Sequence, residues 1–562
     1  MRAVQRNLGE AQGGSESTMP SWAPAEAAAT REQLRASAGA TPWDIVVVGA
    51  GITGAGVARD AALRGLSVLV LEACDLAFGT SSRSTRLIHG GVRYLEQGEL
   101  GLVFEALRER HRLYATAPHL VHPTRFLFPS YAHDRLAPWQ LRVGLSLYDA
   151  LGLFRGHLHR YLRPERALSM EPLLASDGLR GAVHYEDAIT DDARLTLTVL
   201  QDARRHGARV LTYAPVRTIH VADGTRAVEL CDGTRITAKT IVVAAGPWTG
   251  PQLLGNAGHE LLTLSKGVHL VVRHDDVPVR QPVVVQVPQQ RRVLFVVPWG
   301  TRTYLGTTDS SYEGDPGASR VIESEELEVL ALVHRVLPGA RLEPARIVSA
   351  WSGVRPLVRA ARSARARDES TVELARTHRV LEPHLGVFAV VGGKLTTYRS
   401  MAQELVDRVC EHLGPAWPTS RPSIGPCVTA VRPLCIGTPL TPDELADPLI
   451  AALAPRHGPV ARELANIARQ CSDLAHPLVA GLPYRWVEVD QAIHYEGCTH
   501  LDDILRRRLP LALTDDRLGG AVARRIAERL VHARGGSQTD IELELDRYRD
   551  VITRETRRTP TF

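Results

Sequence analysis

Residues 44–72, DIVVVGAGITGAGVARDAALRGLSVLVLE, decide how the rest of the chain is read. The apolar run 45–48 behind Asp44 suits a buried parallel strand. Gly49, Gly51 and Gly54 follow, then a helix-like segment over 53–63, a turn at Arg64 and Gly65, and a second apolar run over 67–71 that ends in Glu72. This is a βαβ unit with a dinucleotide fingerprint. Gly49 permits a tight turn off the strand, Gly51 lets the backbone approach a pyrophosphate, and Gly54 lets the helix pack closely on the sheet. The helix N-terminus adds free N–H groups and partial positive charge. Glu72 can accept hydrogen bonds from a ribose diol, and its charge disfavours the 2′-phosphate of NADP. NAD and FAD both stay open on this stretch alone.

The chain has 562 residues, enough for two or more domains with substantial cores. No run approaches the roughly 18 to 20 apolar residues that span a bilayer, so no membrane crossing is expected. The net charge of +5 is small for this length, and no nucleic-acid partner is expected. Arginine is locally dense from 355 to 367 and at Arg506, Arg507 and Arg508. Such runs belong on solvated faces, with an anionic membrane surface as the competing use. The seven cysteines are scattered without CxxC spacing, as expected for reduced thiols of a cytosolic protein with no metal site. Residues 1–42, rich in Ala, Ser, Gly and Glu, are expected to form a disordered tail, with Met19 as an alternative start.

Downstream, residues 75–94 form a loop dense in hydroxyls, glycines and basic side chains, suited to holding a ligand. Helices are expected near 100–115, 138–151, 191–206 and 323–336, and a strand over 182–189. The pair Asp191 and Asp192 invites a metal reading, but capping of the helix that follows accounts for it. The run TIVVAAGPW brings the backbone to Gly246, where a side chain would obstruct a nearby cofactor. Residues 264–310 read as an antiparallel sheet able to roof an active site. VFAVVGGKLTTYR then gives a strand, a Gly392–Gly393 turn and a helix start. Six prolines between Pro415 and Pro439 mark a linker, and 441–562 is helix-periodic, with Asp502 and Thr514 as expected caps.

Seven motifs in order then resemble the FAD-dependent glycerol-3-phosphate dehydrogenases: the 49–72 fingerprint, TSSRSTRLIHGGVRYLE (80–96), AAGPW (244–248), SKGVH (265–269), GTTD (306–309), SGVRPL (352–357) and GGKLTTYR (392–399). EGCTHLDDILRRR (496–508) resembles a stretch of the family's extra C-terminal domain. The resemblance implies an α/β fold, in which a Rossmann-like FAD-binding domain of the D-amino-acid-oxidase type is interleaved with an antiparallel-sheet substrate domain and followed by a C-terminal helical domain. The expected FAD parts are 43–115, 182–250 and 345–410, and the substrate parts 116–181 and 251–344, with a Pro-rich linker over 411–440 and the helical domain over 441–562. It also implies oxidation of sn-glycerol 3-phosphate to dihydroxyacetone phosphate, with hydride passing to flavin N5 and electrons to the quinone pool. The expected location is cytoplasmic, peripherally attached at the inner face of the cell membrane. A homodimer is allowed, and no motif fixes the oligomeric state.

A dianionic phosphate calls for forked, fixed cations. The resemblance places Arg93, Arg355 and Arg376 at the substrate with Tyr94, while Lys394 is expected to bind substrate and stabilise negative charge beside the flavin. A base must take the proton of the C2 hydroxyl: His269 is preferred, with His89 and Lys394 as the other candidates. Cofactor contacts are expected from Gly49, Gly51, Gly54, Glu72, Thr80, Ser81, Ser82, Gly90, Gly246, Gly392, Gly393, Thr396 and Thr397. A glycerol-3-phosphate oxidase using O2 is the nearest alternative, since access rather than a motif decides oxygen reactivity. An amine oxidase of the same fold would not need several converging cations, and an inactive flavoprotein scaffold would not need them intact.

Overall fold

Strand Trp43–Val48 is apolar on both faces beyond Asp44, so it requires cover on both sides, and residues Ile45, Val46 and Val47 are fully buried. The computed structural model describes residues 42–96, 98–222, 224–259, 261–359, 377–414, 417–434 and 437–562; residues 1–41 of the expected tail lie outside the described residues. The strand pairs in parallel with Val68–Leu71 and with Arg235–Val243. Around these three the first sheet runs His378–His384, Val387–Gly392, Arg235–Val243, Trp43–Val48, Val68–Leu71, Arg209–Leu211, and the hairpin of Val216–Ala222 and Thr225–Leu230 attaches at Arg235–Val243. Helices Ile52–Leu63, Asp192–Arg205 and Tyr398–Leu413 pack together against it. The first of these carries alanines and glycines, so neighbours can come close: a Cβ on Gly56 would lie 3.0 Å from the Tyr398 ring.

The second sheet runs Ser310–Tyr312, Leu262–Arg273, Arg302–Gly306, Val293–Trp299, Val283–Gln286, Val121–Tyr131, Leu179–Thr190, Leu87–Ile88, and Ile347–Val358 lines the other edge of Leu262–Arg273. Strands Leu179–Thr190 and Ile347–Val358, which the sequence assigned to FAD-binding parts, therefore pair within this second sheet. The register of Leu262–Arg273 sets Ser265 opposite Arg355, Gly267 opposite Gly353, and His269 opposite both Trp351 and Gly306.

The C-terminal helices share an apolar core that includes Leu453, Leu464, Trp486, Ile504, Leu530 and Tyr548. Three expectations fail there. Arg506, Arg507 and Arg508 are neither a solvated face nor a membrane-facing one: they are 2%, 3% and 1% exposed, in a π-helical stretch Asp503–Arg508. Arg507 and Arg508 donate to Asp75, which is itself fully buried, and Arg506 pairs with Glu555 at 2.9 Å. Buried charge of this density persists only when paired. Asp502 caps nothing with its side chain and instead pairs with Arg507 at 3.0 Å; Thr514 ends a helical turn, its hydroxyl donating to Pro510 O. The expected linker is docked along the first domain: Arg421 pairs with Asp44, Gly425 N donates to Arg64 O, and Leu434 N donates to Thr116 O. Asp191, by contrast, caps helix Asp192–Arg205 as expected, accepting from Arg194 N.

Buried histidines give the fold a pH signature. Burial holds His111 and His119 down to about 4, so both stay neutral in the folded chain where the unfolded chain binds protons near 6.5. Asp503, which burial raises to about 6, opposes them. The unfolded state takes up more protons below pH 6.5, so the melting temperature is expected to fall steadily from pH 6.5 towards 4. A melting temperature that rises over that interval in scanning calorimetry would contradict this.

Candidate active site

At the end of strand Trp43–Val48 the chain turns at Gly49 with φ +108°, where a Cβ would lie 2.5 Å from Ala244 O. A Cβ on Gly54 would lie 1.9 Å from Gly49 O. Gly51 begins helix Ile52–Leu63, with no acidic residue in its first turn to compete for an anion. Ser81 Oγ accepts Ile52 N at 2.9 Å, and a Cβ on Gly51 would stand 3.1 Å from it. Glu72 accepts Ala50 N at 2.7 Å and Cys74 N at 3.0 Å, and burial pushes its carboxyl above the usual range. Gly246 is left-handed, φ +54°, and among the described residues no atom beyond its own chain neighbours lies within 4 Å of where its Cβ would be. A glycine cradle, an open helix start and open space at Gly246 fit the ADP half of a flavin dinucleotide.

Thr80 does not offer its hydroxyl to this cradle, because it donates to Val354 O at 2.6 Å; Ser82 is buried in the same short helix, Thr80–Ser82. Gly90 is fixed by protein packing: its N–H donates to Tyr148 Oη at 2.8 Å, and a Cβ would lie 2.7 Å from that ring. Gly392 and Gly393 are consecutive left-handed residues, φ +75° and +85°, which turn the chain from strand Val387–Gly392 to Lys394. Thr396 Oγ1 accepts His89 N at 3.1 Å, while Thr397 is buried with its hydroxyl 3.4 Å from Lys394 O.

Those contacts bring the Lys394 turn and the His89 loop together. Lys394 Nζ lies 3.6 Å above the Tyr94 ring. His89, Tyr94, Thr85, Thr307 and Arg355 line one cavity of about 100 Å3. The Arg355 guanidinium is braced on its inner side, donating to Thr307 Oγ1 at 2.7 Å, Ser265 Oγ at 3.2 Å and Thr308 O at 3.3 Å, with Asp309 at 3.7 Å. Gly267 makes room for it, since a Cβ there would meet Arg355 Nη2 at 2.1 Å. Thr307 and Ser265 sit inside the quoted GTTD and SKGVH motifs, yet their role as braces needs the strand register to become visible. Thr85 was likewise unremarkable in the sequence.

His269 stands behind the cavity wall. Its Nε2 is 3.0 Å from Thr85 Oγ1, its ring stacks on Trp351 at 4.6 Å, and Nδ1 is buried without a hydrogen-bond partner. Burial, then the charges of Arg355 and Arg86, hold its pKa well below 6.5, so the imidazole is neutral. The Arg93 side chain and all of Arg376 lie outside the described residues. Asp191 and Asp192 gather no metal-binding cluster, and none occurs among the described residues.

Residues 44–408 match a family model described as FAD dependent oxidoreductase, and 388–540 match the C-terminal domain of alpha-glycerophosphate oxidase. A glycerol-3-phosphate dehydrogenase of Mycobacterium leprae (strain TN) is 34% identical over 556 residues, covering 95% of this chain and 92% of its own length. The crystal structure of the glycerol-3-phosphate dehydrogenase from Bacillus halodurans complexed with FAD superposes with a TM-score of 0.73 at 26% identity, over 94% of this chain and 97% of that one. The L-alpha-glycerophosphate oxidase of Mycoplasma pneumoniae, with FAD bound, shares the fold at a TM-score of 0.53 and 18% identity, over 67% of this chain and 96% of that one.

Proposed function

This chain belongs to the FAD-dependent glycerol-3-phosphate dehydrogenase family, and from that premise we propose that it oxidises sn-glycerol 3-phosphate to dihydroxyacetone phosphate and passes the electrons to a membrane quinone. FAD is its cofactor, and when bound it supplies the hydride acceptor. The observation that carries the reading is the braced Arg355, which shares one cavity with His89 and Tyr94 while Lys394 lies over the Tyr94 ring. A forked guanidinium held by three oxygens is pre-oriented for a phosphate. Lys394, over the ring of the cavity-lining Tyr94, supplies a second cation, and its proposed role is to stabilise charge developing on the oxidised carbon's oxygen. His269 is the proposed acceptor of the hydroxyl proton on its position alone: Thr85 Oγ1, 3.0 Å from its Nε2, lines the cavity and can relay the proton, while the burial and the Arg355 and Arg86 charges that keep the imidazole neutral also make it a weak base. His89 is held through its backbone by Thr396, which favours a positioning role for it. For Arg93 and Arg376 a phosphate-binding role is proposed on the family resemblance alone.

Gly267→Ala tests the bracing without removing a polar group, because the new Cβ would crowd Arg355 Nη2 and its brace Thr307 Oγ1. The new Cβ displaces Arg355, so KM for substrate is expected to rise by about tenfold or more. A variant with unchanged steady-state constants and normal flavin content would contradict that geometry.

No described helix is long and apolar enough to cross a membrane, and we place the protein peripherally at the inner face of the cell membrane, where the quinone pool is. Turnover with substrate tests the acceptor. Rapid reduction of a soluble ubiquinone or menaquinone analogue with little peroxide is expected; stoichiometric peroxide in air and no quinone reduction would favour the oxidase reading instead.

A further inference from the structure

Helix Pro138–Leu151 is apolar on two faces. Leu141, Leu145 and Tyr148 are buried, as a helix lying on a sheet requires. On its outer side Trp139, Val143 and Leu147, spaced four apart, are 66%, 63% and 40% exposed. The turn that follows adds Leu153 and Phe154, 57% and 65% exposed, and Leu158 is 50% exposed beyond it. Single exposed apolar residues need no explanation, but a run of them on one surface does.

The turn is built to hold them outward. Leu153 and Phe154 both adopt left-handed backbone, φ +56° and +54°, a conformation such side chains rarely take. Leu153 N donates to Ala150 O at 2.9 Å and Phe154 N to Asp149 O at 2.8 Å, while the Asp149 carboxylate accepts both His159 N and its Nδ1.

Beside this surface lies a cavity of about 360 Å3 lined by Arg125, His157, Leu158, His159, Arg160 and His184. His184 is 9% exposed; Gln281 hydrogen-bonds to its side chain, and its buried Nε2 has no hydrogen-bond partner within 3.5 Å among the described residues. Arg125, Arg155 and Arg160 make no ion pair among the described residues. Two carboxylates adjoin the cavity: Asp149, which accepts Nδ1 of the lining His159 at 2.7 Å, and Glu186, 2.6 Å from where a Cβ on Gly156 would be.

We propose that this face docks on an anionic lipid bilayer, with Trp139, Val143, Leu147, Leu153 and Phe154 inserted at the headgroup boundary and the Arg125–Arg160–His184 cavity taking a phospholipid phosphate. The proposal rests on the peripheral-membrane reading above and supplies the surface that the buried Arg506–Arg508 run cannot. The chemistry is that of an interfacial helix: apolar side chains enter the boundary, tryptophan favours it, and unpaired arginines meet lipid phosphates. Docking here also sits directly behind the substrate cavity, because Tyr148, on the inner face of the helix, accepts Gly90 N beside His89.

Flotation of the FAD-loaded full chain on vesicles tests it. Vesicles of phosphatidylcholine with about one third phosphatidylglycerol should carry the protein, and pure phosphatidylcholine should not. Trp139→Ser with Phe154→Ser should abolish flotation. Arg125→Gln with Arg160→Gln should weaken it roughly 25-fold, about fivefold for each arginine near the surface. These side chains lie outside the proposed substrate and flavin contacts, so flavin content, melting temperature and flavin reduction by substrate should match the parent protein. Equal flotation of parent and variants, or none with the parent, would overturn the proposal. So would stabilisation of the parent by inorganic phosphate without vesicle binding, which would assign the cavity to a free anion. If substrate fails to reduce the flavin while vesicle binding holds, the catalytic reading falls and the docking surface stands.

Discussion

Arg355→Ala is expected to lower kcat/KM for sn-glycerol 3-phosphate by about two to four orders of magnitude, because a charge-assisted hydrogen bond contributes roughly 1.5 to 3 kcal/mol and a forked guanidinium makes two to a phosphate. Ser265, Thr307 and the Thr308 carbonyl fix the fork before substrate arrives, so little ordering cost is left to the binding step. The Asp309 side chain, 3% exposed and 3.7 Å from the guanidinium, loses its countercharge in the variant. Arg355→Lys, which keeps the charge and loses the fork, should fall between the two. Steady-state kinetics separates the outcomes provided flavin content is preserved, and a kcat/KM equal to that of the parent protein would remove Arg355 from the site.

Asp75→Asn is expected to destabilise the chain by about 3 kcal/mol or more, since removing one partner of a buried ion pair leaves charge uncompensated in a dry interior. Asp75 is buried against Arg507 and Arg508, whose charges hold its carboxyl below the usual range despite the burial that raises it. Arg507 keeps Asp502 and Asp503, while Arg508 keeps, among the described residues, the Glu496 backbone carbonyl at 2.9 Å and the more distant Glu496 carboxylate at 3.9 Å. The consequence reaches the cofactor. The segment after Asp75 is fastened to the glycine turn, with Ala77 N donating to Ala50 O and Ser81 Oγ accepting Ile52 N. One end of the flavin cradle is thus tied to the C-terminal helical domain, and the variant should release FAD more readily as well as melt several degrees lower. Thermal melting followed by flavin fluorescence reads both; an unchanged melting point with full flavin retention would contradict the coupling.

The parts of this fold that were legible in the sequence are those fixed by short-range constraint. Gly49 and Gly54 each exclude a Cβ for a reason contained within the βαβ unit or at its contact with Ala244, so their spacing carries the information, whereas the neighbour that crowds Gly51 is Ser81, in the loop that follows the unit. The Gly392–Gly393 turn and the Asp191 cap are similarly local. What escaped was set by distant partners. Arg507 and Arg508 look like a surface run until Asp75, 432 and 433 positions away, takes them into the interior. Composition made the prolines after Cys410 look like a linker, yet Arg421 and Leu434 bind them to residues 44 and 116. In the proposed site Arg355 and Lys394 were visible as motif residues, while Thr85, Ser265 and Thr307 became significant only through register and side-chain reach. The two-faced helix Pro138–Leu151 shows the same limit: its apolar residues suit a buried helix, and only exposure tells which of them face outward.

The most direct measurement is anaerobic mixing of the FAD-loaded protein with sn-glycerol 3-phosphate while the absorbance of oxidised flavin is followed. Stoichiometric bleaching, with dihydroxyacetone phosphate as the product, is expected; oxidised flavin that persists in the presence of saturating substrate would contradict the proposed activity.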